Sequence, residues 1–329
     1  MKIKTIVKFL TKTKIWFATI EHDGTVRRDF FNMQTLLYVL MFFLSSAGFS
    51  WKIIENGIDF DNVTILQIVS VAFNLSVPVY VLTLHSAVTH SLPSLQNLAD
   101  NPAYKCSYKF ALPSLISNLI FMVGMGIHNY MLFQNSKLSE DVLFIVSCAV
   151  TDVCCICALF GLMAYLLTCN IIIKTAVDDI NDKRIVTLDH LQDLKEIVEL
   201  VSGALQAPSC LFISNLQIIL ILVVFLSLHG QPVPIMFAIG MAIYVYSFLQ
   251  VLHECYQKIG DIAGKAKKQS LQSNSIKDMT EIQLAADEVT ALCPFSALGF
   301  FNLEMDLMTS MTGTTVNYLV ILIQFVQST

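Results

Sequence analysis

The chain has 329 residues, of which 55% belong to the set AVILMFWYC and only 14% are Asp, Glu, Lys or Arg, with a net charge of −5. An ordinary globular chain carries about 25% charged residues, so this one cannot build a soluble surface over two average domains, and a soluble enzyme, an acidic disordered chain and a secreted disulfide scaffold are excluded. A net negative charge also argues against nucleic acid as a partner.

In chain order, residues 1–33 come first, with Lys2, Lys4, Lys8, Lys12, Lys14, Arg27 and Arg28. The apolar run Ile15–Ile20 is too short for a cleavable signal peptide. The expected element is a basic amphipathic helix on the anionic inner leaflet.

Seven apolar stretches follow, each long enough to cross ~30 Å of hydrocarbon as a helix. They are 34–51, 64–85, 111–132, 143–168, 210–229, 234–253 and 307–326, and Asp152 is the one formally charged residue inside them. Their apolar residues run all round each helix, as lipid-buried helices require. The expected fold is all-α, with seven transmembrane helices. Segments that share a side with the N-terminus carry 18 Lys and Arg, and the opposite side carries only Lys52 and Lys137. The positive-inside rule then puts the N-terminus in the cytoplasm and the C-terminus outside, opposite to a G-protein-coupled receptor.

The cysteines fit this topology. None of the nine falls in an external loop, so no structural disulfide is expected. Cys154 and Cys157 have C-x-x-C spacing but sit mid-span, where small packing residues are the common case, and no metal is assigned.

The segment 169–209 reads as helix, because Leu191, Leu194, Val198, Val201 and Leu205 recur at three and four residues. Asp189, Asp193, Glu196 and Glu199 lie mostly off that seam. Thr187 can start the helix, although His190 stands where a full capping box has Glu or Gln. The sixth span is expected to continue past Tyr256 to a polar turn at 269–275. A second helix runs from about Asp278 through Ala291 towards the last span. These pieces form an expected cytoplasmic helical layer that packs subunits together. The division is therefore a basic segment 1–33, a bundle over 34–253 that includes the extension 169–209, anchor helices over 254–306, and a final helix with a short tail over 307–329.

The last span is polar in its first half, with Thr309, Ser310, Thr312, Thr314, Thr315 and Asn317, and aliphatic over Leu319–Ile323 before Gln324 and Phe325. Ile321, Gln324 and Phe325 lie three and four residues apart, on one face. An apolar ring beside an amide ring suits a dewetting gate with a hydrated mouth. Helix packing through Ser and Thr explains the same residues equally well.

Here a resemblance enters. Leu298-Gly-Phe-Phe-Asn-Leu, Gly313, and Tyr318 followed by five aliphatic residues and Gln324-Phe325 resemble the C-terminal end of insect gustatory receptors, with Asn317 in place of the usual Thr. The resemblance implies a ligand-gated cation channel in the plasma membrane, built as a homo- or heterotetramer. Each subunit would give the outer half of its last helix to a central pore. Ile321 and Phe325 would form the gate, Gln324 the polar ring, and Tyr318 a packing residue behind it. The external loops carry Glu55, Asp59, Asp61, Glu140 and Asp141 against two lysines, a balance that concentrates cations at the mouth.

A ligand pocket is expected among the other helices. Asp152, an ionisable residue at depth, is its leading candidate, with a helix–helix hydrogen bond as the alternative. His128 and Tyr130 lie near the outer end of the third span. Asn74, Gln217 and Tyr244 are polar groups near mid-membrane that fit interhelical hydrogen bonding as readily as ligand contact. Few amides and carboxylates lie at depth, so an amphipathic, bitter-type tastant is favoured, a sugar being the other class. No cofactor is expected. An intramembrane enzyme or transporter lacks a partner acid for Asp152, and a metabotropic receptor needs the opposite orientation. An odorant-receptor-like member of the same channel superfamily is the nearest alternative.

Overall fold

The computed structural model describes residues 18–20, 26–28, 142–228, 233–272 and 275–328, and positions 40, 43 and 123 singly. Those three positions are helical: 40 and 43 fall in the first expected span and 123 in the third, and the rest of the first three spans lies outside the described residues.

Within 1–33 the described residues, 18–20 and 26–28, pair as a hairpin, and the stretch from Lys2 to Lys14 on which the basic helix is expected lies outside the described residues. Strand β1 (Ala18–Ile20) pairs antiparallel with β2 (Val26–Arg28), Thr19 facing Arg27. Two signals in the sequence favour this: β-branched residues in both strands and the Asp23-Gly24 pair between them.

Five helices follow: α1 (Val142–Asn181), α2 (Leu188–Leu228), α3 (Val233–Ser270), α4 (Ile276–Ala291) and α5 (Asp306–Ser328). The first three have 40, 41 and 38 residues. At 1.5 Å per residue each is about 60 Å long, roughly twice a hydrocarbon core. The apolar stretches 143–168 and 234–253 therefore fill one half of α1 and of α3, and each helix runs on without a break. In α2 the connection 188–209 and the apolar stretch after it fuse into one helix. Among the described residues one helix is long and apolar enough to cross a membrane by itself, α2 over Leu188–Ile218.

The ends of α2 and α4 follow from local chemistry. Thr187 Oγ1 accepts from the His190 backbone N–H at 3.4 Å, and His190 Nδ1 accepts from the Thr187 N–H at 3.2 Å. This is a capping box with an imidazole in place of the carboxylate. Ser275 caps α4 by accepting from the Asp278 N–H.

Helix α2 is the hub, packing against α1, α3, α4 and α5. Its seam residues Leu191, Leu194, Val198, Val201 and Leu205 are all fully buried. The row is filled within one chain. Asp189, Asp193, Glu196 and Glu199 are exposed, on the other side.

Pro208 lies inside α2. Proline has no N–H, so the carbonyl four residues back loses its helical donor. Tyr165 of α1, fully buried, donates its hydroxyl to that carbonyl, Ala204 O, at 3.3 Å. Asn170 of α1 reaches the Phe248 carbonyl of α3 at 3.2 Å.

The halves of α1–α3 beyond the apolar stretches hold the charged contacts. Lys174 pairs with Glu254 at 2.8 Å, Lys258 with Asp178, Lys195 with Glu288 at 2.9 Å, and Lys267 with Asp287 at 2.5 Å. Lys265 donates to the carbonyls of Asn181, the last residue of α1, and of Lys183 just past it, where the helix dipole favours a cation. Gln269 holds the turn into α2 by accepting from Val186 N–H and donating to the Arg184 carbonyl.

The expected run from α4 to the last span is interrupted. Strand β3 (Ser296–Ala297) pairs with β4 (Phe301–Asn302). Leu298 and Gly299 both have positive φ, 53° and 78°, and Phe300 N–H closes the turn on Ala297 O. Phe295 anchors the hairpin: its N–H donates to Tyr256 Oη at 3.1 Å, and the two rings meet edge-on at 5.2 Å. Strands of two residues carry too little periodicity to be seen in a sequence.

Candidate functional site

The site is built on α5. Leu307 and Met311 are buried, and Thr315, Leu319 and Leu322 are half-buried, so these positions define the side that meets the rest of the chain. The other side is open. Thr309, Thr312, Gly313, Val316, Asn317, Val320, Ile321 and Gln324 are exposed. Val316, Tyr318, Val320 and Ile321 are each about half exposed or more, at 52%, 53%, 49% and 49%. Four large apolar residues left open on one helix mark a surface made for lipid, a pore or another subunit.

Of the residues assigned to a pore, Ile321 and Gln324 lie on this open side. Tyr318 is open as well, so within one chain it does not pack behind the others. Phe325 lies in α5, and its side chain is outside the described residues.

On the closed side α5 packs principally on α2. One side chain makes a specific bond there. Gln217 Nε2 of α2 donates to Thr315 Oγ1 at 2.7 Å and to the Met311 carbonyl at 3.1 Å. Thr315 Oγ1 also donates to Met311 O at 2.8 Å. Hydroxyl back-bonding of this kind is frequent in helices and tends to bend them.

Two expected pocket residues are therefore engaged in interhelical bonds. Besides Gln217, Tyr244 of α3 is 3% exposed and donates to the Met163 carbonyl of α1 at 2.8 Å, its ring edge-on to Phe212 at 5.4 Å. Asp152 lies in α1, and its side chain is outside the described residues, as are Asn74, His128 and Tyr130 altogether. Among the described residues no cluster of His, Cys, Asp and Glu is arranged to hold a metal ion.

Sequence reasoning missed two links. The Gln217–Thr315 bond joins residues 98 apart in the chain, and no spacing rule reaches that far. The Tyr165–Ala204 bond had a visible signal in Pro208, which demands an outside donor for one carbonyl.

No protein-family model matches the chain, and no curated protein matches it. Solved structures do. The structure of the insect olfactory receptor OR5 from Machilis hrabei in complex with eugenol superposes with a TM-score of 0.69 at 13% identity, covering 98% of this chain and 97% of that one. A second structure of the same receptor gives a TM-score of 0.65 at 13% identity and the same coverage. The likeness is one of fold, and the chain has the helical fold of that membrane receptor over nearly its whole length.

Proposed function

We propose that the chain is a chemoreceptor subunit acting as a ligand-gated cation channel, with α5 lining the pore. The observation that carries this reading is the fold likeness to an insect olfactory receptor over 98% of the chain. The open face of α5 supports it, since Ile321 and Gln324 are the residues a gate and a polar ring would use. In this reading the N-terminus is cytoplasmic, the charged halves of α1–α3 with α4 form the cytoplasmic layer, and four like subunits surround the pore in the plasma membrane. Asp152, His128, Tyr130 and Asn74 line the ligand pocket. Gln217 and Tyr244 brace the bundle beside it.

The gustatory branch is favoured by the motif Tyr318 to Phe325, and with it a bitter-type ligand. A second reading, an odorant-receptor-like channel, is favoured by the solved neighbour, whose structure holds eugenol. Whole-cell current from cells expressing this chain separates them, using a panel of bitter compounds, sugars and volatile phenols. Gln324→Ala and Ile321→Ala are expected to change selectivity or leak. Ligand-evoked current indifferent to both substitutions would remove α5 from the pore.

A further inference from the structure

We propose that Gln217 is a positioning residue that sets the rotation of α5, so that the face opposite Thr315 points into the pore. The proposal rests on the reading of α5 as the pore helix. At 100° per residue, Gly313, Asn317, Val320 and Gln324 lie within about 40° of the direction opposite Thr315. These four residues are all exposed. Gln217 grips the helix at the back of that face, on both Thr315 Oγ1 and Met311 O.

The grip is placed where rotation is easiest to transmit. Gly313 lies between the two bonded residues, and a Cβ added there would meet no atom of the chain within 4 Å. The aliphatic run Leu319–Ile323 begins four residues beyond Thr315 and carries no polar side chain to fix a register. Gln217 is the described side chain of α2 that bonds α5 through a directional hydrogen bond. Its own helix carries Pro208 nine residues earlier, with the freed carbonyl held by Tyr165 of α1. The directional part of the coupling between α2 and α5 is therefore this one amide, set beside the apolar packing of Leu307 and Met311. Its Oε1 is buried and has no hydrogen-bond partner among the described residues, so the two N–H bonds are the polar contacts that hold the side chain in place.

The test uses the full-length chain reconstituted in lipid nanodiscs, with a cysteine introduced in turn at Val320, which is exposed, and at Leu319, which is half-buried. The readout is the ratio of their modification rates by a soluble methanethiosulfonate, against the unsubstituted chain as background. Gln217→Leu and Thr315→Val are each expected to shift this ratio towards position 319 by about 2- to 12-fold, the range that one net hydrogen bond supplies. The double variant removes both polar groups and is expected to recover thermal stability while keeping the shifted ratio, no larger than in either single variant. General loosening would raise both rates and leave the ratio alone. An unchanged ratio in the single variants, additive shifts, or a double variant that restores ratio and stability together would each overturn the proposal. Gln324→Ala recorded in parallel separates the two claims: if ion selectivity is indifferent to it while the ratio still shifts, the pore reading fails and the positioning role stands.

Discussion

Two apolar patches on the helices of this chain meet opposite fates. On α2, Leu191, Leu194, Val198, Val201 and Leu205 are fully buried against α1, α3 and α4. On α5, Val316, Val320 and Ile321 stay about half exposed, with Tyr318 beside them. The first row lies in the charged half of its helix, where water makes burial favourable. It is consumed in building the subunit. The second row is left over after the chain has folded, and its surroundings have to come from outside the chain. Composition does not distinguish the rows. The number of neighbouring helices does: α2 packs against four, and α5 packs principally against one.

The largest expected effect breaks the first row. Leu194→Ala should cost about 2–5 kcal/mol and abolish a sharp melting transition in purified protein. Ile321→Ala, in the second row, should cost about 0.5 kcal/mol or less within one chain and act on current instead. Equal losses of stability would erase the contrast between the rows.

Next comes the bond that supports α2 at its proline. Tyr165→Phe leaves the Ala204 carbonyl buried without its donor, which should cost about 1–3 kcal/mol in thermal unfolding. No change in melting temperature would mean that the carbonyl is satisfied in another way.

The charged half should also be the alkali-sensitive half. Burial pushes the Cys255 thiol from its usual 9.0 up to about 12, and the Cys293 thiol likewise to about 12. The hydrogen bond that Lys258 donates to the Asp178 carboxylate raises Lys258 above its ordinary value. A group whose pKa is raised on folding contributes stability at low pH and loses it as pH rises towards the folded value. Stability should therefore hold below about pH 9 and decline between about 9 and 12, as followed by melting temperature. Removing the thiol as Cys255→Ala should flatten that decline, and an unchanged slope would assign it elsewhere.

The smallest effect on the fold sharpens the second row. Gly313→Ala adds a methyl group that meets nothing in the chain and should stabilise α5 by about 0.5–1 kcal/mol. On the proposed pore face the same methyl should alter conductance, read in single-channel records. Unchanged conductance would place Gly313 off the pore face, and an unchanged melting temperature would mean that the backbone entropy of Gly313 does not limit α5.

Much of the fold was legible because it rests on long periods. The seam of α2, the extension of α3 past Tyr256 and the start of α4 near Ser275 follow from repeated spacing and capping chemistry. The hairpin at Ala18–Arg28 was missed because its two strands have three residues each, too few to show a period of two beside the lysine-rich stretch before them. The hairpin β3–β4 was missed because Tyr256 and Phe295, 39 residues apart, hold it. In the site, the open residues Ile321 and Gln324 were named from the motif, whereas the role of Gln217 was open between ligand and helix until its partner was seen.

The sequence by itself determined that the chain is helical and membrane-like, because composition and 20-residue apolar runs act locally and need no partner. It also determined that Ile321, Gln324 and Phe325 share one face of the last helix, since three- and four-residue spacing defines a face. Only the tertiary structure decided which apolar row is spent inside the subunit, which carbonyl Tyr165 repairs, and which side of α5 is held by Gln217. Those outcomes depend on contacts between residues tens of positions apart, whose pairing is set by how the helices pack together.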